Sequence, residues 1–201
     1  MRFSTIFTAT ALAGSALAAD HTVVVGKDGL SFVPNVTTAA KGDTVTFKFW
    51  PKNHSIAQGA FAKPCEPLAN GFWSGFVPTT DTAKAASETF MYTVQNASAP
   101  VWFYCTQGSH CQSGMVGVIN PPSSGANTIE KYAADSKSAS SNVSPSSKAS
   151  DNPGFGMLMN GTTMPSSTTG GTTQSTGAAA NVNMNGVALT GFMGMITYML
   201  M

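Results

Sequence analysis

The chain predicts an all-β sandwich followed by a polar tail, and three observations support that reading. Apolar residues recur with period two in short runs between residues 20 and 122. Clusters of Gly, Pro, Asn and Lys interrupt those runs. No stretch of this region repeats apolar residues at helical spacing, although Thr82 to Ala86 could form a single turn. Several short alternating segments in about 100 residues fit an antiparallel sandwich around one core.

Met1-Arg2, an apolar run from Ile6 to Leu17 and the small residues of Ala16-Leu17-Ala18 form a secretory leader over 1–18, too short to span a bilayer. Export places the rest of the chain where disulfides persist. Strands then follow in order. Val23 and Val25 alternate with their neighbours, and Val45, Phe47 and Phe49 with Thr46 and Lys48. Phe90, Tyr92 and Val94 repeat the pattern, as do Val101, Phe103 and Cys105, before Val116 to Ile119. Gly26-Lys27-Asp28-Gly29, Lys41-Gly42-Asp43 and Pro51-Lys52-Asn53 are the turns between them. Pro121-Pro122 ends the last strand, because proline cannot continue a ladder.

Residues 123–180 are rich in Ser, Thr and Gly, with Tyr132 and Phe155 the only aromatics. Ile129 to Lys137 could form a brief helix. Otherwise the segment lacks the apolar surface to offset chain entropy, and it reads as a disordered linker or O-glycosylated stalk. Residues 178–201 have the layout of a GPI-attachment propeptide, with an uncharged apolar tail over 186–201 and Gly177 as the attachment residue. Asn35, Asn96, Asn142 and Asn160 begin glycosylation sequons, and so does Asn53, which is expected to stay unmodified beside the candidate site.

Only 9% of residues are charged, and without Arg2 basic and acidic side chains balance. That excludes a basic footprint for nucleic acid or anionic lipid, so membrane contact is expected through the anchor alone.

The chemistry concentrates between Cys105 and Met115, where a thiol, an imidazole and a thioether follow at even spacing as Cys105, His110 and Met115. Together with a second imidazole this is the ligand set of a mononuclear copper site. His54, on the loop after Trp50, is the only other histidine in the body of the fold. The three cysteines imply one disulfide and one reserved thiol, and the count alone leaves all pairings open. If His110 points inward as a ligand, its neighbour Cys111 points away, while Cys105 shares the inward face of Val101 and Phe103. Under that condition Cys65 pairs with Cys111 and Cys105 supplies the thiolate. An inert buried cysteine is the plainer alternative.

The run Cys105-Thr106-Gln107-Gly108-Ser109-His110-Cys111-Gln112-Ser113-Gly114-Met115 resembles the copper loop of cupredoxins, the phytocyanin group in particular. With its leader, stalk and tail, the whole arrangement resembles fungal extracellular serine-rich cupredoxin-like proteins. The resemblance implies a Greek-key β-sandwich over 20–122 and one copper ion held by His54, Cys105, His110 and Met115. His54 and Cys65 match that group's first copper histidine and its disulfide partner for Cys111. One departure is that Ser55 follows His54 where plant relatives usually carry Asn, so Ser55 is the candidate to tie the two ligand loops together.

Four protein ligands leave no open position for a substrate, and there is no second His cluster, carboxylate pair or Ser/His/Asp set. The expectation is therefore a non-catalytic, monomeric, extracellular copper protein that passes electrons through His110 to an unidentified redox partner. The competing readings are a structural or host-interaction wall glycoprotein, with wall polysaccharide as partner, and copper sequestration or delivery. The aromatic run Phe72-Trp73 with Phe76 is expected to serve the core more than docking. Cleavage after Ala18 would expose Ala19-Asp20-His21, an amine with a third-position histidine that can chelate Cu(II).

Overall fold

The computed structural model describes residues 17–146 and 155–161. Most of the leader, Gly177 and the tail over 186–201 lie outside the described residues. Among the described residues there are twelve strands and one helix: β1 Asp20–Val25, β2 Phe32–Val33, β3 Val36–Thr37, β4 Thr44–Phe49, β5 Lys52–His54, β6 Ala57–Ala60, β7 Lys63–Pro67, β8 Val77–Thr79, β9 Glu88–Thr93, β10 Val101–Tyr104, β11 Val116–Ile119, α1 Ile129–Lys137 and β12 Gly156–Asn160.

Two five-stranded sheets face each other, one ordered β12-β9-β4-β1-β2 and the other β3-β11-β10-β6-β7, with β5 and β8 paired apart from both. The alternating residues fill the space between them. Val23, Val25, Val45, Phe47, Phe49, Phe90, Tyr92 and Phe103 share one buried cluster. Phe103 meets Phe32 and Phe47 edge-on, with ring centroids 5.0 and 5.2 Å apart. Across the ladder from Phe103 stands Gly117, and a Cβ there would overlap the ring's Cζ and Cε2. The glycine in β11 therefore seats the ring.

Most pairings are antiparallel, as expected, but β1 runs parallel to β4 and β3 parallel to β11. Period-two alternation orients faces and says nothing about strand direction. Thr82 to Lys84 forms bends, and Thr82 to Ala86 makes no helical turn. Asp81 Oδ1 accepts the Ala83 N–H at 2.9 Å, which offers the backbone an alternative to helix.

The largest difference lies past Pro122, where the expected stalk is not uniformly without packed structure. Helix α1 forms over the predicted residues, capped by Thr128, whose side chain accepts the Lys131 N–H. Its Tyr132 is fully buried with Trp102, Tyr104, Val118, Cys65 and Cys111 in a second cluster. The reason lies in β10, whose four residues Val101, Trp102, Phe103 and Tyr104 are all buried. A strand apolar on both faces needs cover on both, and α1 supplies it on the side away from the first sheet. Further on, β12 pairs antiparallel with β9. Among the described residues no helix is long and apolar enough to cross a membrane.

Candidate metal centre

Cys105 follows β10 and Met115 precedes β11, so the two extend an antiparallel ladder. The Cys105 N–H donates to the Met115 carbonyl at 3.1 Å. Opposed residues of such a pair project to the same face, and both side chains are fully buried. Between them the chain turns tightly. Gln107 O accepts the His110 N–H at 2.9 Å, and His110 O accepts the Met115 N–H at 3.0 Å. The turn carries the half-buried His110 ring back toward the Cys105 thiol, and Cys111 is turned away into a disulfide with Cys65.

The second imidazole arrives from elsewhere in the fold. Strand β5 ends in His54, which is 3% exposed and is paired with Val77 of β8. Its Nδ1 lies 3.9 Å from Cys105 Sγ, and His110 Nδ1 lies 3.4 Å from the same sulfur. The two ring centroids are 5.1 Å apart. All three donor atoms fall within 4.8 Å of one another, the one such group of His, Cys, Asp and Glu found among the described residues. Donors that bind one ion through bonds of about 2.0–2.3 Å in a trigonal plane stand about 3.5–4 Å apart. The Sγ–Nδ1 separations match that spacing.

Soft sulfur with two imidazoles suits copper, and the buried Met115 adds a thioether on the Cys105 side. The residues thus fit a single copper ion in a site of the blue-copper type. Burial pushes the Cys105 thiol up, against the opposing pull of backbone hydrogen bonds from Gln107 and Ser55 and of the Ser55 hydroxyl. Burial, helped by the neighbouring His110, holds His54 below the ordinary imidazole range, and burial does the same to His110. Both shifts favour the neutral ring, the form that binds a metal.

Two side-chain pairs tie the His54 loop to the Cys105 loop. Ser55 Oγ lies 2.8 Å from Thr106 Oγ1 and accepts the Thr106 N–H at 3.0 Å. Asn53 Nδ2 donates to Gln107 Oε1 at 2.8 Å. Ser55 thus bridges the ligand loops, and Asn53 adds a second tie. Outside them lies an open cavity of about 400 Å³ lined by Gly26, Leu30, Asn53, His54, Gln107 and His110.

Some candidates lie elsewhere. Phe72 is buried against Phe90 and Tyr92, as expected of a core residue, while Phe76 is exposed. Asn35, Asn96 and Asn160 are exposed, whereas Asn142 is half-buried. Asp43 already accepts the Ala19 N–H at 2.9 Å and hydrogen-bonds His21 Nε2 at 3.0 Å. A chelate built from Ala19-Asp20-His21 would have to break both contacts. Residues that sequence reasoning passed over include Thr106 and Gly26. Gly26 was legible only as a turn residue, although its positive φ of 79° and its place against the His54 ring make it part of the site.

No family model matches the chain. "Probable GPI-anchored cupredoxin-1" of Arthroderma benhamiae is 39% identical over 185 residues, covering 90% of this chain and 94% of the relative. "Extracellular serine-rich protein" of the same fungus is 40% identical over 126 residues, 62% of this chain and 48% of that one. Among solved structures, auracyanin B aligns with 53% of this chain and 91% of its own at 15% identity and a TM-score of 0.38, which adds nothing to the assignment. Near full-length similarity to the first relative, joined to the two-sheet sandwich, assigns the family: the chain is a cupredoxin.

Proposed function

We propose that this cupredoxin is a secreted, surface-tethered protein that binds one copper ion and exchanges electrons with a partner without transforming a substrate. The observation that carries the reading is the convergence of His54, Cys105 and His110 donors within 4.8 Å. His54 and His110 would supply imidazole nitrogens, Cys105 the thiolate and Met115 a weak thioether. Copper so held would supply a one-electron couple. The protein's part is to present the donors already gathered, so that little rearrangement accompanies a change of charge. The ties from Ser55 to Thr106 and from Asn53 to Gln107 serve that rigidity.

Access favours His110. Cys105, Met115 and His54 are buried, and His110 is the half-buried ligand beside the open cavity. A redox partner would meet the protein there. Tethering draws support from the uncharged tail over 186–201, from Gly177 downstream of a Ser/Thr-rich segment, and from the relative named as GPI-anchored. The relative named as extracellular supports secretion.

The test is spectroscopic. Purified protein given Cu(II) should develop an intense visible band from thiolate-to-copper charge transfer, and Cys105→Ser should abolish it. A wild type that stays colourless with one copper bound elsewhere would overturn the reading and return the fold to a structural role.

A further inference from the structure

The chain beyond the sandwich returns to the candidate metal centre. After α1, residues 142 and 143 are stitched to three elements. The Val143 N–H donates to the Cys65 carbonyl of β7 at 2.9 Å. The Tyr104 hydroxyl of β10 donates to the Val143 carbonyl at 2.6 Å. Asn142 Nδ2 donates twice into the ligand loop, to the Cys105 carbonyl at 3.0 Å and the Gly108 carbonyl at 2.9 Å. Both acceptors belong to the turn that joins the thiol to the His110 imidazole. Ser55 and Asn53 hold the same turn from the His54 side.

We propose that Asn142 is a positioning residue for the Cys105–His110 turn, and that its sequon Asn142-Val143-Ser144 is left unglycosylated as a consequence. An amide nitrogen has two hydrogens, and here each has an acceptor. A glycan on Nδ2 would remove one of them and force a sugar between two backbone carbonyls. Loss of the amide frees the outer side of the turn while the Ser55 and Asn53 ties remain. The thiol of Cys105 would then be uncovered more often by local opening. What this means for a bound metal rests on the copper reading above, but the loop contact itself does not.

Two substitutions in the full secreted chain separate the amide from the sequon. Asn142→Asp keeps the shape but sets carboxylate oxygens against two carbonyls, and Ser144→Ala deletes the sequon while keeping the amide. With metal-free protein at fixed pH, alkylation of Cys105 should be about tenfold faster in Asn142→Asp and unchanged in Ser144→Ala, since two hydrogen bonds are lost in one and none in the other. After copper loading, the charge-transfer band should move in Asn142→Asp only. Equal alkylation rates in all three proteins, or equal acceleration in both variants, would overturn the proposal. So would a glycan at Asn142 in peptide mass maps of the folded wild type, a measurement that does not depend on how either variant folds. A protein that never colours with copper, yet shows the alkylation difference, would sink the copper reading and leave this one standing.

Discussion

Gly26 lies flat against the imidazole of His54, so close that a Cβ built on it would overlap Nε2, Cδ2 and Cε1. Its φ of 79° also belongs to the left-handed region that side chains disfavour. The site thus has a wall made of absent atoms. Gly26→Ala should displace the His54 ring and cost roughly 1–3 kcal/mol in overpacking, with backbone strain added. Denaturant titration reads the stability, and a bleached charge-transfer band on copper addition reads the displaced ligand. An unchanged spectrum would show that His54 does not depend on this wall.

Ser55 and Thr106 should be coupled energetically. Ser55→Ala leaves the buried Thr106 N–H without its acceptor, which costs about 1–3 kcal/mol. Thr106→Val on that background should then cost little more, because the hydroxyl pair is already lost. A double-mutant cycle by chemical denaturation measures the coupling, expected at about 0.5–3 kcal/mol for residues in contact. Additive losses would mean that the bridge is incidental.

The disulfide joins residues 46 apart. In the chain-entropy account a loop of that length is worth about 4 kcal/mol. Cys65→Ser should lower the thermal midpoint sharply but keep the copper band at low temperature, since neither sulfur is a ligand. Loss of the band in a folded Cys65→Ser protein would tie the disulfide to the ligand geometry and overturn its purely stabilising role.

Acidification should destabilise the metal-free protein in two steps of the same sign. His54 and His110 are held below the ordinary imidazole range in the fold, while the unfolded chain protonates them near about 6.5. The unfolded state therefore binds more protons as pH falls through that range, and stability drops. Asp43 is lowered to about 2, chiefly by the Ala19 N–H, with His21 and Ala40 adding. Its contribution is present above the usual carboxylate range and fades between about pH 4 and 2. Thermal midpoints against pH should show both falls, and Asp43→Asn should remove only the lower one. A midpoint flat between about pH 7.5 and 5 would contradict the first step.

What could be read from the chain follows from how rare the informative residues are. With three cysteines and three histidines in all, few other sets of candidate copper donors remained once Cys105, His110 and Met115 stood together. Alternation likewise marked the core strands, because burial on one face leaves a period of two. Helix α1 was legible as a helix but not as part of the fold, since its composition is polar and Tyr132 is its one large buried side chain, with Ile129 and Ala133 only partly covered beside it. The clue lay in β10, where Val101 to Tyr104 are apolar at every position and so call for cover on a second face. Asn142 looked like a sequon and nothing more, because hydrogen bonds between residues 34 and 37 apart leave no local pattern. Gly26 was hidden for the same reason, its partner being distant in sequence.

Strand β12 sits at the outer edge of its sheet and touches the ladder through β9 alone. None of the four candidate ligands lies on either strand. A pull on the chain beyond Gly161 therefore loads the β12–β9 seam first, at Asn160, opposite Glu88. Peeling β12 from β9 would leave in place the β10–β11 loop that carries Cys105 and His110 and the β5–β8 pair that carries His54. Were the domain tethered through its C-terminal side, as proposed above, β12 would be a mechanical fuse.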